Sequence, residues 1–158
     1  MQQATLDKES RYLYPGMLFA EPGDYSVTTV LGSCVSVCLW DPASRTGGIN
    51  HYLLPLWNGD GLRTPKYGNI AIPMLVEKLL QAGCARGNLK AKVFGGASVL
   101  EGSSGLLNVG ERNIHFAEGA LEEARIPVIG KDVGGTSGRK LLFVTGSGDV
   151  YVRKLNKK

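Results

Sequence analysis

Histidine and cysteine are scarce in this chain. Its 158 residues hold two histidines, His51 and His115, and three cysteines, Cys34, Cys38 and Cys84. Three cysteines cannot all pair and no CxxC spacing occurs, which excludes a disulfide scaffold and a thioredoxin-type redox motif. One histidine beside one cysteine does not make a zinc site without further ligands. No Gly-x-x-x-x-Gly-Lys-Ser/Thr loop occurs, and no GxGxxG opens a helix after a strand, so neither common phosphate-binding fingerprint is present. No zinc-finger or RNA-binding motif is found, and no nucleic-acid partner is expected. Apolar runs fall short of the roughly 20 residues a membrane helix needs. The polar stretch Met1 to Tyr14 is not a secretory signal, and a reduced, cytoplasmic setting is expected.

The net charge is +4, and much of the excess lies in Arg153, Lys154, Lys157 and Lys158. Such a run reads as a solvated terminus. Hydrophobic content of 43% and charged content of 20% are those of a globular chain of one-domain size.

Local patterns give the elements. Residues 1–14 read as a loose arm. Tyr25 to Thr29 is β-prone, Val35 to Trp40 reads as a strand, and Gly48 to Leu54 reads as its return across a turn at Asp41-Pro42. Leu56 to Lys66 reads as a loop. Gly68 to Ala82 carries Ile70, Met74, Leu75 and Leu79 at helical spacing and stops at Gly83. A strand over Leu89 to Phe94 ends at Gly95-Gly96. Glu101 to Leu107 reads as a flexible stretch. Gly110 to Ala124 forms a second helix, with Asn108 as its cap. Ile126 to Val133 is a strand, and Arg139 to Val144 pairs with Asp149 to Lys154 as a hairpin. Two helices and about seven strands, several in hairpins, predict an α+β fold: a single-domain sandwich over 1–158 with mainly antiparallel strands.

Against that background Cys34 and His51 stand out. Cys34 follows the Gly32-Ser33 turn, and His51 lies one hairpin later. A thiolate is the nucleophile of cysteine chemistry, and a neighbouring imidazole lowers the thiol pKa and moves protons. The two share a face when paired residue numbers add to an odd value. A sum of 85 sets them directly opposite and 87 makes them diagonal neighbours, whereas a one-residue slip separates them. Gly32 is expected to permit a strained backbone, with the N–H groups of Ser33 and Cys34 available to an oxyanion. The bland assignments fall elsewhere. Cys38 and Cys84 read as small buried hydrophobes, His115 as a surface or packing residue, and Asp41 as a turn former. Asn50 and Ser36 are weaker site candidates, with satisfaction of backbone groups as the alternative, and Gly95-Gly96-Ala97 reads as a turn closing over the core or the site.

These residues sit in a pattern that resembles CheD, the chemoreceptor glutamine deamidase family. The resemblance is carried by Leu31-Gly32-Ser33-Cys34-Val35-Ser36-Val37-Cys38-Leu39-Trp40-Asp41 and Gly48-Ile49-Asn50-His51-Tyr52-Leu53-Leu54-Pro55. It continues through Lys66-Tyr67-Gly68, Lys92-Val93-Phe94-Gly95-Gly96-Ala97, Asn108-Val109-Gly110-Glu111-Arg112-Asn113 and Asp132-Val133-Gly134-Gly135. It runs from about Tyr14 to Leu155, with Thr136 as a departure where family members often carry asparagine. The resemblance implies a Cys-His-Thr triad: Cys34 as nucleophile, His51 as general base and, by spacing from Cys34, Thr28 as the third member, with Thr29 adjacent. It implies deamidation of glutamines on methyl-accepting chemotaxis receptors, no metal or organic cofactor, a monomer, and in some bacteria a CheC phosphatase partner. A non-catalytic adaptor that binds such a phosphatase or the receptor is the alternative reading, and a thiol peptidase is a third.

Overall fold

The computed structural model describes residues 9–98 and 108–155. Among the described residues, nine strands and two α-helices make three layers. A four-stranded sheet has the order β1-β3-β8-β9, formed by Glu9–Tyr12, Tyr25–Leu31, Arg139–Val144 and Val150–Lys154. A five-stranded sheet has the order β2-β5-β4-β6-β7, formed by Leu18–Glu21, Thr46–Asn50, Val35–Asp41, Lys90–Gly95 and Val128–Val133. Five of the seven strand pairings are antiparallel; β1–β3 and β6–β7 are parallel. Helices α1 (Gly68–Gln81) and α2 (Val109–Glu123) cover one face of the five-stranded sheet.

The central strand β4 shows why the layers form. Alternate residues of a strand point to opposite faces. Val35, Val37 and Leu39 pack against helix residues such as Leu75, Leu79 and Leu121. Cys38 turns the other way, into a second core with Val27, Leu31, Leu141 and Phe143 of the four-stranded sheet. Covered on both sides, β4 reads as a nearly continuous apolar run rather than an alternation. Cys84 is buried as expected, and His115 lies exposed on α2.

Turn and cap chemistry matches the sequence. Asp41 Oδ1 accepts from the N–H groups of Ala43 (2.8 Å) and Ser44 (3.3 Å), closing the turn into β5. Asn108 caps α2: its side chain accepts from Glu111 N at 2.9 Å, and the Glu111 side chain answers on Asn108 N.

Three local expectations change. The arm is not loose over residues 9–12. That segment is a strand, although all four of its side chains are exposed, because it pairs in parallel with β3. Strand β2 was not expected; it is a short edge partner for β5. The return strand ends at Asn50 rather than Leu54, and only Tyr52 rejoins the ladder, as an isolated bridge to Val35. The flexible stretch expected at 101–107 and the last two lysines lie outside the described residues. Among the described residues no helix is long and apolar enough to cross a membrane.

Candidate active site

Register places the cysteine and the histidine on the same face. Cys38 pairs with Ile49, Leu39 with Gly48, and the isolated bridge joins Val35 to Tyr52. All these pairs add to 87, so Cys34 and His51 are diagonal neighbours on one face. That face looks toward the four-stranded sheet, where Cys34 packs against the Leu31–Phe143 core. His51 is buried, whereas Cys34 is half-buried, so Cys34 is the more accessible of the two residues.

Thr29, not Thr28, meets the histidine. Thr29 Oγ1 lies 2.7 Å from His51 Nδ1 and 2.7 Å from the Leu13 carbonyl oxygen. The correction follows from strand alternation. Val27, Thr29 and Leu31 point into the core between the sheets, while Thr28 points outward beside Lys140, Leu142 and Tyr151. The apolar residues two places either side of Thr29 were the available signal, since a strand's inward set keeps that period.

The same two contacts assign the imidazole tautomer. A carbonyl only accepts, so the single Thr29 hydroxyl proton goes to Leu13. The Thr29 oxygen then accepts from His51 Nδ1–H, which leaves the Nε2 lone pair free. Leu13 belongs to the segment read from sequence as a loose arm; that segment supplies the acceptor for the Thr29 hydroxyl. Gly16 N also donates to the His51 carbonyl at 2.8 Å.

The turn that carries Cys34 is gripped from behind. Gly96 N donates to the Cys34 carbonyl and Ala97 N to the Gly32 carbonyl, each at 2.9 Å. Both Gly95 (φ +105) and Gly96 (φ +72) occupy left-handed backbone, and a Cβ at Gly95 would overlap the Cys34 carbonyl oxygen. Gly32, expected to carry the strain, is not among the positive-φ glycines. The strain sits across from the turn, in the segment that holds it. Arg139, 2% exposed, secures that segment: its guanidinium donates to the carbonyls of Gly95 (3.4 Å) and Gly134 (2.9 Å) and pairs with Asp132 at 3.0 Å. Gly95→Ala is therefore expected to cost about 2 kcal/mol or more in urea unfolding. An unchanged midpoint would contradict this packing.

Electrostatics make the pair neutral in the free protein. Burial pushes the Cys34 thiol up, and a hydrogen bond from its own backbone N–H pulls partly back. Burial alone lowers His51 to about 4. The sequence-based expectation of a thiol pKa lowered by the imidazole is thus reversed in the resting state. The lowered histidine has a consequence for stability. Between an unfolded value of about 6.5 and a folded value of about 4, only the unfolded chain binds the proton, so stability falls as pH drops through that window. We expect the wild type to lose about 2 kcal/mol more than His51→Gln between about pH 7 and pH 5 in urea unfolding. Equal losses would show that the imidazole is not held neutral.

Asn50 satisfies a backbone group: its Oδ1 accepts from Val37 N at 2.8 Å, in place of a ladder bond. Ser36 stands opposite His51 in the same register, buried, with no hydrogen-bond partner on its hydroxyl among the described residues. No three His, Cys, Asp or Glu side chains converge as a metal-binding group among the described residues.

Comparison with known proteins identifies the family. A family model described as CheD chemotactic sensory transduction matches residues 53–154. That segment begins beyond Cys34 and His51, but full-length relatives extend across both. A protein of Trichlorobacter lovleyi named "Probable chemoreceptor glutamine deamidase CheD" is 51% identical over 141 residues, covering 89% of this chain and 88% of the relative. A protein of the same name from Sulfurimonas denitrificans is 46% identical over 154 residues, covering 96% and 98%. A third, "Probable chemoreceptor glutamine deamidase CheD 1" of Anaeromyxobacter dehalogenans, is 47% identical over 144 residues, covering 91% and 84%.

Proposed function

Because the chain belongs to the CheD family, we propose that it is a cysteine hydrolase converting selected glutamine side chains of methyl-accepting chemotaxis receptors to glutamate. The observation that carries this reading is the placement of Thr29 Oγ1 between the Leu13 carbonyl and His51 Nδ1, on a histidine that shares a face with Cys34.

The chemistry follows from a neutral pair. His51 Nε2 takes the thiol proton as the Cys34 sulfur bonds to the carboxamide carbon, so charge develops only during attack. The Cys34 N–H donates to the oxyanion. The imidazolium then passes its proton to the amide nitrogen, the C–N bond breaks, and ammonia leaves a thioester. His51 next takes a proton from water, hydroxide adds to the thioester, and the sulfur departs with that proton, releasing glutamate. Thr29 holds Nδ1–H throughout, the orienting role that a carboxylate or amide fills in other triads. No step requires a metal or cofactor.

The surroundings suit a helical protein substrate. Tyr14 (60% exposed) and Met17 (51%), on the segment whose Gly16 N–H bonds the His51 carbonyl, and Leu56 (60%), five residues past His51, present apolar surface. Such a rim matches the exposed face of a receptor helix better than it matches a small polar amide. The same reading includes a cytoplasmic monomer and, where one is present, a CheC phosphatase partner. Incubation with a purified receptor cytoplasmic fragment tests the proposal. Peptide mass spectrometry should find the amide-to-acid mass increment at particular glutamines, with matching ammonia release. Binding of the fragment with no increment would favour the adaptor, and backbone cleavage the peptidase.

A further inference from the structure

Asn113, on the buried face of α2, ties the two halves of the site together. It is fully buried, and its Nδ2 donates at 3.0 Å to the Ser33 carbonyl and at 3.0 Å to the Leu53 carbonyl. Ser33 immediately precedes Cys34, and Leu53 lies two residues past His51. Here the ladder between the strands has already ended, since Val35–Tyr52 is its last bridge. Beyond that bridge, Asn113 is what spans the gap between the nucleophile turn and the strand of the base. A second bond locks the helix in place: Tyr52 Oη donates to the Asn113 main-chain carbonyl at 2.5 Å.

The amide orientation is settled by its partners. Both are carbonyl oxygens, so the group facing them is the NH2 and the Oδ1 points away. That Oδ1 is buried with no partner among the described residues. An orphaned acceptor in a packed interior weakens the fold, and an apolar side chain of similar size would avoid it. The same replacement would strip the donor from the Ser33 and Leu53 carbonyls, so what explains the residue is the two carbonyls it holds.

We propose that Asn113 is a positioning residue for the deamidation: by gripping Ser33 and Leu53 it sets the distance between the Cys34 sulfur and His51 Nε2. The inference rests on the reading of Cys34 and His51 given above. The experiment uses the full chain carrying Asn113→Leu, which keeps the volume and removes the orphaned oxygen, and Asn113→Asp, which keeps the shape and removes both donors. Deamidation of the receptor fragment should show kcat lowered about 10- to 100-fold, with KM within about twofold of wild type. Alkylation of Cys34 by iodoacetamide across about pH 5 to 8 should lose its histidine-assisted component and approach the profile of His51→Ala. A purely structural role would leave that profile in place in the folded fraction. Unchanged kcat, or lowered kcat with a wild-type alkylation profile, overturns the proposal. If Asn113→Leu does not fold, Asn113→Asp decides; failure of both to fold assigns Asn113 to the core and also overturns it. Cys34→Ala, assayed alongside, separates the two levels: activity retained there removes the thiol mechanism itself.

Discussion

Cys34→Ala should release no measurable ammonia from a receptor fragment, with glutamine deamidation lowered about 10⁴-fold or more. The size of the effect follows from the absence of a substitute. Cys38 is the nearest other thiol along the strand, but it is 2% exposed and burial pushes its thiol further up still. Cys84 lies in the other core, between the five-stranded sheet and the helices. Removing one half-buried sulfur should leave the fold intact, because Cys34 lies at the margin of its core rather than within it. Circular dichroism and the urea midpoint should therefore stay close to wild type while activity disappears. Deamidation surviving in Cys34→Ala would move the chemistry to another residue.

The second large effect is expected at the relay. His51→Gln should lower kcat about 10²- to 10⁴-fold, the span seen for loss of a positioned general base. Thr29→Val should cost about 10- to 100-fold, because the imidazole loses the partner that fixes Nδ1–H. Thr28→Val should change little: its side chain lies on the outer face of the four-stranded sheet, away from His51. The contrast between adjacent threonines is the informative part. A large loss in Thr28→Val with a silent Thr29→Val would mean that β3 is shifted by one residue and that its core face is misassigned.

The reason Thr29 displaces Thr28 also explains what the sequence could and could not convey. Distance in residues from Cys34 does not encode a strand's facing; alternation with Val27 and Leu31 does, and that signal was present. Helix α2 and its Asn108 cap were legible because periodicity and capping are local. Strand β4 was legible because both of its faces are buried. Strand β1 was not. Its exposed Glu9–Tyr12 segment carries no amphipathic pattern, and its strand character comes from a partner 16 residues away in the register Glu9 to Tyr25. The Leu13 carbonyl was invisible for a related reason, since a main-chain acceptor carries no residue-type signature. Asn113 appeared only as a member of a motif. Its contacts run 80 residues back to Ser33 and 60 to Leu53, and no local rule anticipates them. The lowered His51 pKa likewise depends on packing between two sheets, which composition does not reveal.

The central claim is that the Cys34 sulfur takes over the glutamine acyl group while His51 moves the protons. Acid quenching during turnover with a receptor fragment, followed by intact-mass analysis, tests it most directly. The account predicts a covalent adduct equal to enzyme plus fragment less one ammonia, borne on the Cys34 peptide, cleaved by hydroxylamine and missing from Cys34→Ala. Glutamate formed at full rate with no such adduct, or with the adduct on another residue, would contradict it.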